Sequence, residues 1–443
     1  MNLSIKSVIT RFSFALAVLT GSLSAQAAER LSVDILPSQT IVHAGHTQKV
    51  YVKIGLTGQG IRSHTRAPAN IAIVLDKSGS MNGVKMMRAK EAAIMAINRL
   101  GSRDIVSVIA YSGRVEIIQS ATRATDKELV TESIRRIHAG GSTALFAGVT
   151  RGAAELRTYL KRNQINRVIL LSDGQANVGP KTPYELGQLG EQLSEEGISV
   201  STIGLGLGYN EDLMTKLASY SGGNHAFVED ANDLARIFTH EFNDVLSVVA
   251  NDASINIICK PGVRPLRVFG HKASIKGRSV KVKFNQVYAK QQKYIIVELE
   301  VPATKHGRKI ALANVKTSYL DLKSKKRTSV SRPLHLDADN SRQRAKGSLN
   351  NKVMSAAIEY IGIQNSRRAI KLRDAGKPKL AAKELKRNAA WLNKNASRYK
   401  SEKLRSYAAE QKKAAGAVSS PAWNKTRKMM RKGDFSRSRQ QAY

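Results

Sequence analysis

The sequence predicts an α/β protein in which a doubly wound, mostly parallel sheet is inserted into a β-sandwich and is followed by a basic α-helical region. Over residues 69–249, apolar runs alternate with amphipathic helical segments, which is typical of a parallel sheet with helices on both faces. Residues 29–68 and 250–340 carry short alternating strands separated by turns rich in glycine, proline and lysine. Beyond residue 341 the composition changes to alanine, lysine and arginine at helical spacing.

The first 28 residues have the pattern of a signal peptide. Lys6 and Arg11 supply positive charge, residues 12–19 form an apolar core, and residues 25–27 (AQA) resemble a cleavage site. We therefore expect an exported protein, located in the periplasm, at the cell envelope or outside the cell, with an uncleaved anchor as the alternative. No later run has the length of a membrane span, so we expect no transmembrane segment in the mature chain.

The strands on either side of residues 69–249 are predicted to form one β-sandwich. Residues 29–68 hold only two or three strands, which are too few to be stable alone. Residues 250–340 hold several more. Because the ends of a domain usually lie close together, an insertion between these two segments is tolerable.

The first strand of the α/β segment ends in a turn rich in side-chain oxygens. Residues 71–81 read IAIVLDKSGSM, so Asp76 ends an apolar run and Ser78 and Ser80 follow at every second position. In an extended turn these three side chains point to one side. Their hard oxygen donors suit Mg²⁺, Mn²⁺ or Ca²⁺ better than Zn²⁺. Ligands of doubly wound sheets bind beyond the carboxyl ends of the strands, where this turn is predicted to lie.

Two later segments are expected to bring oxygens to the same edge. Thr143 lies in the segment GGSTAL before a helix-like run, and Asp173 ends a second apolar strand in VILLSDG. For each of these residues the alternative interpretation is helix capping, because serine, threonine and aspartate are favoured at helix N-termini.

Residues 69–249 resemble a von Willebrand factor type A domain with a complete metal-ion-dependent adhesion site, of the bacterial exported type. The resemblance rests on DKSGS, GGSTAL and LLSDGQAN. It implies that the hydroxyls of Ser78, Ser80 and Thr143 bind Mg²⁺ (or Mn²⁺ or Ca²⁺) directly, while Asp76 and Asp173 act mostly through water. It also implies a partner protein that offers an aspartate or glutamate to the metal.

The remaining elements of this segment follow in order. A Ser-Gly turn between residues 104–111 and 115–119 predicts a hairpin, and hence one antiparallel edge strand. Further helices are predicted at residues 126–137, 145–160, 182–196, 211–219 and 231–249, with strands at 198–205 and 224–228.

The C-terminal region is strongly basic. The chain has 72 Lys and Arg against 34 Asp and Glu, a net charge of +38, and much of the excess lies beyond residue 341. Residues 341–416 are predicted to form a helical hairpin region and residues 417–443 a basic, disordered tail. The charge is compatible with anionic envelope components or with a solvated surface. We expect no nucleic-acid partner, because export and the scarcity of aromatic residues argue against one.

The sequence offers no catalytic constellation. None of the nine histidines has HExxH spacing, no GxSxG elbow is present, and the single cysteine, Cys259, cannot form an intramolecular disulfide. We expect a non-enzymatic protein that mediates divalent-metal-dependent protein–protein binding or adhesion at the cell envelope. The alternative is a structural envelope protein that attaches to anionic material through its basic C-terminal region, with the ion only stabilising the fold.

Overall fold

The computed structural model describes residues 30–60 and 66–441, so the predicted signal peptide lies outside the described residues. The strands, in chain order, are β1 (Leu31–Pro37), β2 (Ile41–His43), β3 (Gln48–Gly58), β4 (Ala69–Asp76), β5 (Ile105–Tyr111), β6 (Val115–Arg123), β7 (Ile165–Ser172), β8 (Ile198–Leu205), β9 (His225–Val228), β10 (Val248–Cys259), β11 (Arg264–Phe269), β12 (Ala273–Lys276), β13 (Ser279–Tyr288), β14 (Gln292–Val301), β15 (Lys309–Asp321) and β16 (Arg327–Asp339). The helices are α1 (Val84–Asn98), α2 (Lys127–Arg135), α3 (Leu145–Arg157), α4 (Pro183–Glu196), α5 (Glu211–Ser221), α6 (Leu234–Leu246), α7 (Arg342–Gly347), α8 (Asn351–Asp374), α9 (Pro378–Arg398), α10 (Glu402–Ala417) and α11 (Trp423–Arg439).

The inserted segment has the predicted α/β fold. Its six strands lie in the order β6-β5-β4-β7-β8-β9, and all neighbouring pairs are parallel except β5 with the edge strand β6. Alternate side chains of β4 enter different cores. Ile71 and Ile73 pack with α1 and α6, whereas Ala72 and Val74 pack with α3, α4 and α5. Burial on both faces explains why these strands are continuous apolar runs.

Helix α4 illustrates how local sequence determines the ends of the elements. Thr182 and Glu185 form a reciprocal capping box, and Pro183 occupies the first helical position, where its missing N–H is not needed. The helix ends at Gly197, whose φ of 83° lies in the left-handed region that glycine adopts without strain.

The segments before and after the insertion form two further sheets, which pack face to face around one core. One has the order β1-β3-β14-β11 and the other β12-β13-β10-β15-β16-β2. Strand β3, which precedes the α/β segment, pairs along its length with β14, which follows it. Cys259 lies in this core, where burial raises the pKa of its thiol to about 11.

A buried arginine, paired with a glutamate of the α/β domain, joins this domain by hydrogen bonds to the sandwich sheet that contains β13. The guanidinium of Arg167 on β7 donates to Glu241 Oε1 on α6 at 2.9 Å and to the hydroxyl of Tyr288 on β13 at 2.7 Å. Both charged side chains are at most 1% exposed. Ser201 and Gln286 accept further hydrogen bonds from the same guanidinium. Because an unpaired buried charge is costly, these partners hold the two units in one arrangement.

Helices α8, α9 and α10 cover the outer face of the four-stranded sheet. Phe269, Tyr294 and Ile296 of that sheet share a core with residues of these helices, including Tyr360 and Leu404. None of the helices in the described part of the chain combines the length and the apolar content that a membrane span requires.

The prediction of a disordered tail at residues 417–443 is wrong for most of that segment, because residues 423–439 form helix α11. Its cations are paired with distant carboxylates: Arg427 contacts Asp212 at 2.6 Å and Asp374 at 2.8 Å, and Lys428 contacts Glu211 at 2.6 Å. Beyond the helix, the Gln441 amide donates to the carbonyl of His225 at 3.1 Å and accepts from its N–H at 3.2 Å. The tail therefore closes the edge of the α/β sheet at β9.

We predict that Glu241→Gln lowers the free energy of unfolding by about 3 to 5 kcal/mol, because it removes the ion-pair partner of the buried Arg167. Chemical denaturation measures this loss. The matched control is Glu196→Gln, which breaks a bidentate pair with Arg157 whose side chains are 35% and 42% exposed. The control should cost less than about 1 kcal/mol. Equal losses in the two variants would contradict the role given to the buried pair.

A second prediction concerns acid stability. Burial, together with the charges of Lys432 and Lys428, lowers the pKa of His225 to about 3. An unfolded histidine titrates near 6.5, so only the unfolded chain gains this proton as the pH falls from about 6.5 towards 3. His225 makes its full contribution to the free energy of unfolding at pH values above about 6.5. About 2 kcal/mol of that contribution is lost between pH 7 and pH 5.

His225→Phe should therefore lose less unfolding free energy than the wild type between pH 7 and pH 5. Phenylalanine suits the site, because the rings of Tyr209 and Phe435 pack against the His225 ring. Denaturation at the two pH values measures the difference, and the same substitution at the exposed His138 is the control. Identical pH dependence in His225→Phe and the wild type would exclude this assignment.

Candidate metal centre

Asp76 ends the central strand β4 and is completely buried. One carboxylate oxygen accepts the N–H of Ser78 at 2.8 Å, and the other accepts the hydroxyl of Ser172 at 2.7 Å and that of Tyr111 at 3.4 Å. Burial raises the pKa of Asp76, and the hydrogen bonds from Ser172 and Ser78 oppose that rise. Burial and the charge of Asp76 hold the pKa of Tyr111 well above its usual value.

The turn after β4 aims two serine hydroxyls at one place. Ser78 has extended backbone angles (φ −59°, ψ 164°), and its Oγ lies 3.1 Å from Oγ of Ser80. Ser78 is buried, whereas Ser80 is exposed. The turn is held against the loop before α3 by hydrogen bonds from Gly79 N–H to the Gly141 carbonyl (2.9 Å) and from Gly140 N–H to the Lys77 carbonyl (2.6 Å).

Thr143 and Asp173 reach the same point from the neighbouring segments. Ser80 Oγ donates to Asp173 Oδ1 at 2.6 Å. A Cβ added at Gly174 would lie 3.5 Å from Thr143 Oγ1 and 3.6 Å from Ser80 Oγ, so these two hydroxyls border the same small space. Asn177 fixes the loop by accepting the N–H of Thr143 at 2.7 Å. The structure therefore brings together all five predicted residues.

Helix capping does not account for these side chains. The N-cap residues of the neighbouring helices are Gly83 for α1, Ala144 for α3 and Thr182 for α4. Ser78 precedes a short 3₁₀ turn but makes no side-chain cap hydrogen bond. The alternative that these residues only cap helices is therefore excluded.

Lys85 is a site residue that the sequence analysis missed. Its ammonium group contacts Asp173 Oδ2 and lies 3.2 Å from the carbonyl oxygen of Ser80. It is the second residue of α1, and helical side chains lean towards the helix N-terminus, which here is the oxygen-rich turn. Its position one turn after the last serine is the signal that could have indicated this contact.

The chemistry of these donors suits a hard divalent cation. Three hydroxyls and two carboxylates face the site, and sulfur and imidazole are absent from this set. Across residues 30–60 and 66–441, no group of three or more His, Cys, Asp and Glu side chains is placed to hold a metal. A hydroxyl-rich set with two carboxylates fits Mg²⁺, Mn²⁺ or Ca²⁺ and not a site of the Cys/His type.

Comparisons with known proteins agree with the α/β fold of this segment. Residues 70–240 match the family profile of the von Willebrand factor type A domain. The chain is 27% identical over 233 residues to the uncharacterized protein sll0103 of Synechocystis, covering 52% of this chain and 55% of that protein. It is 24% identical over 228 residues to the uncharacterized protein YfbK of Escherichia coli, covering 51% and 40%. The chain thus spans about half the length of these relatives.

Solved structures extend the likeness of fold beyond this segment. A von Willebrand factor type A protein from Catenulispora acidiphila has a TM-score of 0.70 at 17% identity and covers 86% of this chain and 90% of its own. The ArnB paralog VWA2 from Sulfolobus acidocaldarius has a TM-score of 0.64 at 16% identity and covers 93% and 99%. Identities this low describe fold alone. The family match and the observed sheet together identify residues 70–240 as a von Willebrand factor type A (VWA) domain.

Proposed function

We propose that this chain is an exported, non-enzymatic binding protein whose VWA domain captures a partner protein at the cell envelope in a divalent-metal-dependent manner. VWA domains commonly mediate protein–protein interaction and adhesion. The observation that carries the proposal is the convergence of Asp76, Ser78, Ser80, Thr143 and Asp173 at one edge of the sheet. The export signal predicted at residues 1–28 supports the location.

Within this proposal the hydroxyls of Ser78, Ser80 and Thr143 hold the ion, and Asp76 and Asp173 balance its charge. Bound Mg²⁺ supplies an electrophilic centre that attracts a carboxylate oxygen. Ser80 is exposed while Ser78 and Thr143 are buried, so the site opens to solvent on the side of Ser80. An aspartate or glutamate of the partner would approach from that side.

The rival function, attachment to anionic envelope material through the C-terminal region, is less well supported. Several cations of α11 are engaged within the protein. Arg427 and Lys428 pair with carboxylates of α5, and Arg437 pairs with Glu410 at 2.5 Å. Side chains used in this way are not available to an external polyanion. We therefore favour the edge of the VWA sheet as the binding region.

Adding Mg²⁺, Mn²⁺ or Ca²⁺ to protein prepared in EDTA should raise its unfolding midpoint. An ion that binds only the folded state adds about 2.7 kcal/mol at one hundred times its Kd. Differential scanning calorimetry measures the shift. Thr143→Val removes one hydroxyl oxygen and keeps the shape, so it should reduce the shift, and Asp173→Ala should abolish it. The control Thr150→Val removes an exposed hydroxyl on α3 and should leave the shift unchanged.

Partner capture tests the function itself. Immobilised protein should retain envelope proteins in Mg²⁺ and release them in EDTA. The Asp173→Ala variant should fail to retain the proteins that EDTA releases from the wild type. Replacing the acidic residue of an identified partner by its amide should abolish binding. Retention that survives both the chelator and Asp173→Ala would overturn the proposal.

Lys85 should weaken metal binding, because its ammonium group already neutralises Asp173 and would repel a second cation nearby. We expect Lys85→Met to increase the affinity for Mg²⁺ by about tenfold, which corresponds to about 1.4 kcal/mol. Isothermal titration calorimetry measures the affinity. The matched control is Lys77→Met, since the ammonium group of Lys77 pairs with Glu116 at 2.7 Å and not with Asp76 or Asp173. Weaker binding in Lys85→Met than in Lys77→Met would show instead that Lys85 supports the site.

A further inference from the structure

A second concave site lies away from the metal centre. It is found where the VWA domain meets the sandwich sheet that contains β10, β12 and β13. This cleft has a volume of about 750 Å³ and is bordered by α4 and α5 on one side and by β10, β12 and β13 on the other. Arg439, the last residue of α11, lies at one end. Clefts of this size between structural units are common places for small ligands.

The charges that line the cleft do not balance. Six cationic and three acidic side chains face it. The carboxylate of Asp252 lies 3.2 Å from Arg162 and 3.5 Å from Arg327, and Lys272 lies 2.5 Å from Glu191. These contacts account for three of the cations.

The other three cations are Lys281, Lys283 and Arg439. No carboxylate of the described chain lies within ion-pair distance of any of them. Arg439 donates instead to the backbone carbonyl of Ser219 at 2.7 Å and contacts the ring of His271 at 2.8 Å. Burial and the charge of Arg367 lower the pKa of Arg439 to about 10. The arginine charge is thus held without a carboxylate partner in the described chain, at the end of an open cleft.

The two lysines are arranged as a repeated donor pair. They are exposed at alternate positions of β13 and so point to the same side, about 7 Å apart along the strand. Ser274 of β12 lies opposite Lys281, and Ser254 of β10 lies opposite Lys283. Side chains opposite one another in an antiparallel pair have Cβ atoms about 5 Å apart. Each lysine therefore has a serine hydroxyl beside it, and both serines line the cleft.

We propose that this cleft binds a small anion that carries two phosphate or sulfate groups. An ammonium group and a hydroxyl can donate to each group, and Arg439 supplies further positive charge at the end of the cleft. A ligand with one anionic group would use only one of the two Lys–Ser pairs.

Calorimetric titration of the full chain with fructose 1,6-bisphosphate and with inorganic phosphate tests this inference. EDTA keeps the result independent of the metal centre, and about 150 mM salt screens long-range attraction to the basic surface. The bisphosphate should bind at least tenfold more tightly than phosphate. The double variant Lys281→Gln/Lys283→Gln should weaken its binding at least tenfold.

The matched control is Lys276→Gln/Lys316→Gln, which removes the same charge from exposed positions of the same sheet outside the cleft. Its affinity should stay within twofold of the wild type. Co-sedimentation with phosphatidylcholine vesicles containing a tenth of phosphatidic acid distinguishes a lipid headgroup from a soluble ligand, and binding to either that depends on Lys281 and Lys283 supports the site. Absence of binding to both probes, or an equal loss in the control variant, would overturn it.

Discussion

The parallel pairing of β4 with β7 is the constraint on which the candidate metal centre depends. In this register Leu75 lies opposite Leu171, so the residues that follow both strands emerge at the same edge of the sheet. Asp76 and Asp173 become neighbours although three helices and two strands lie between β4 and β7 in sequence. The buried carboxylate of Asp76 requires donors, and Ser172 and Tyr111 on the two flanking strands provide them. The same pairing thus assembles the site and makes the burial of its first carboxylate tolerable.

The opposite end of β7 connects the domain to the rest of the protein. Arg167 lies near the start of β7 and binds Glu241 within the domain. It also binds Tyr288 of β13, which connects the domain to the sandwich sheet. Helix α11 adds a second connection at α5 and β9, through Arg427 and Gln441. Arg167 lies at the end of β7 opposite Asp173, whereas Arg427 binds the start of α5, which follows β8 at the same edge of the sheet as Asp76 and Asp173. The rest of the protein therefore holds the domain at both ends of its parallel strands, and Ser80 remains exposed at the oxygen-rich edge.

The α/β fold could be predicted because its signals are local. Apolar runs, helical periodicity and oxygen-rich turns at strand ends lie within short windows, and this was sufficient to predict five residues that the structure brings together. One boundary shows the limit of periodicity: a helix was predicted over 231–249, yet Val248 and Val249 begin β10, because an apolar run fits a helix end and a buried strand equally well. The VWA-type α/β architecture is nevertheless the one predicted.

What the sequence could not predict depends on contacts between distant segments. Tyr111 is part of an apolar run, and nothing local indicates that its hydroxyl would reach Asp76. The folding of α11 depends on Glu211 and Asp212, which lie some two hundred positions earlier in the chain. A basic segment with few apolar residues is typical of disorder when it is considered alone. Its order depends on contacts with distant segments, both the charge pairs and the burial of Trp423, Met430 and Phe435.

The charge composition links these features. With 72 basic and 34 acidic residues, most carboxylates can attract more than one cation. Glu298 pairs with both Lys49 and Arg267, and Asp252 with both Arg162 and Arg327. The scarce carboxylates are thus largely used in joining elements, and the surplus cations remain at the surface. Such a surface draws acidic partners over several ångströms before any contact forms. The carboxylate of a partner at the metal centre and the anion in the cleft are both negatively charged. Both proposed sites would therefore benefit from the long-range field of the same basic molecule.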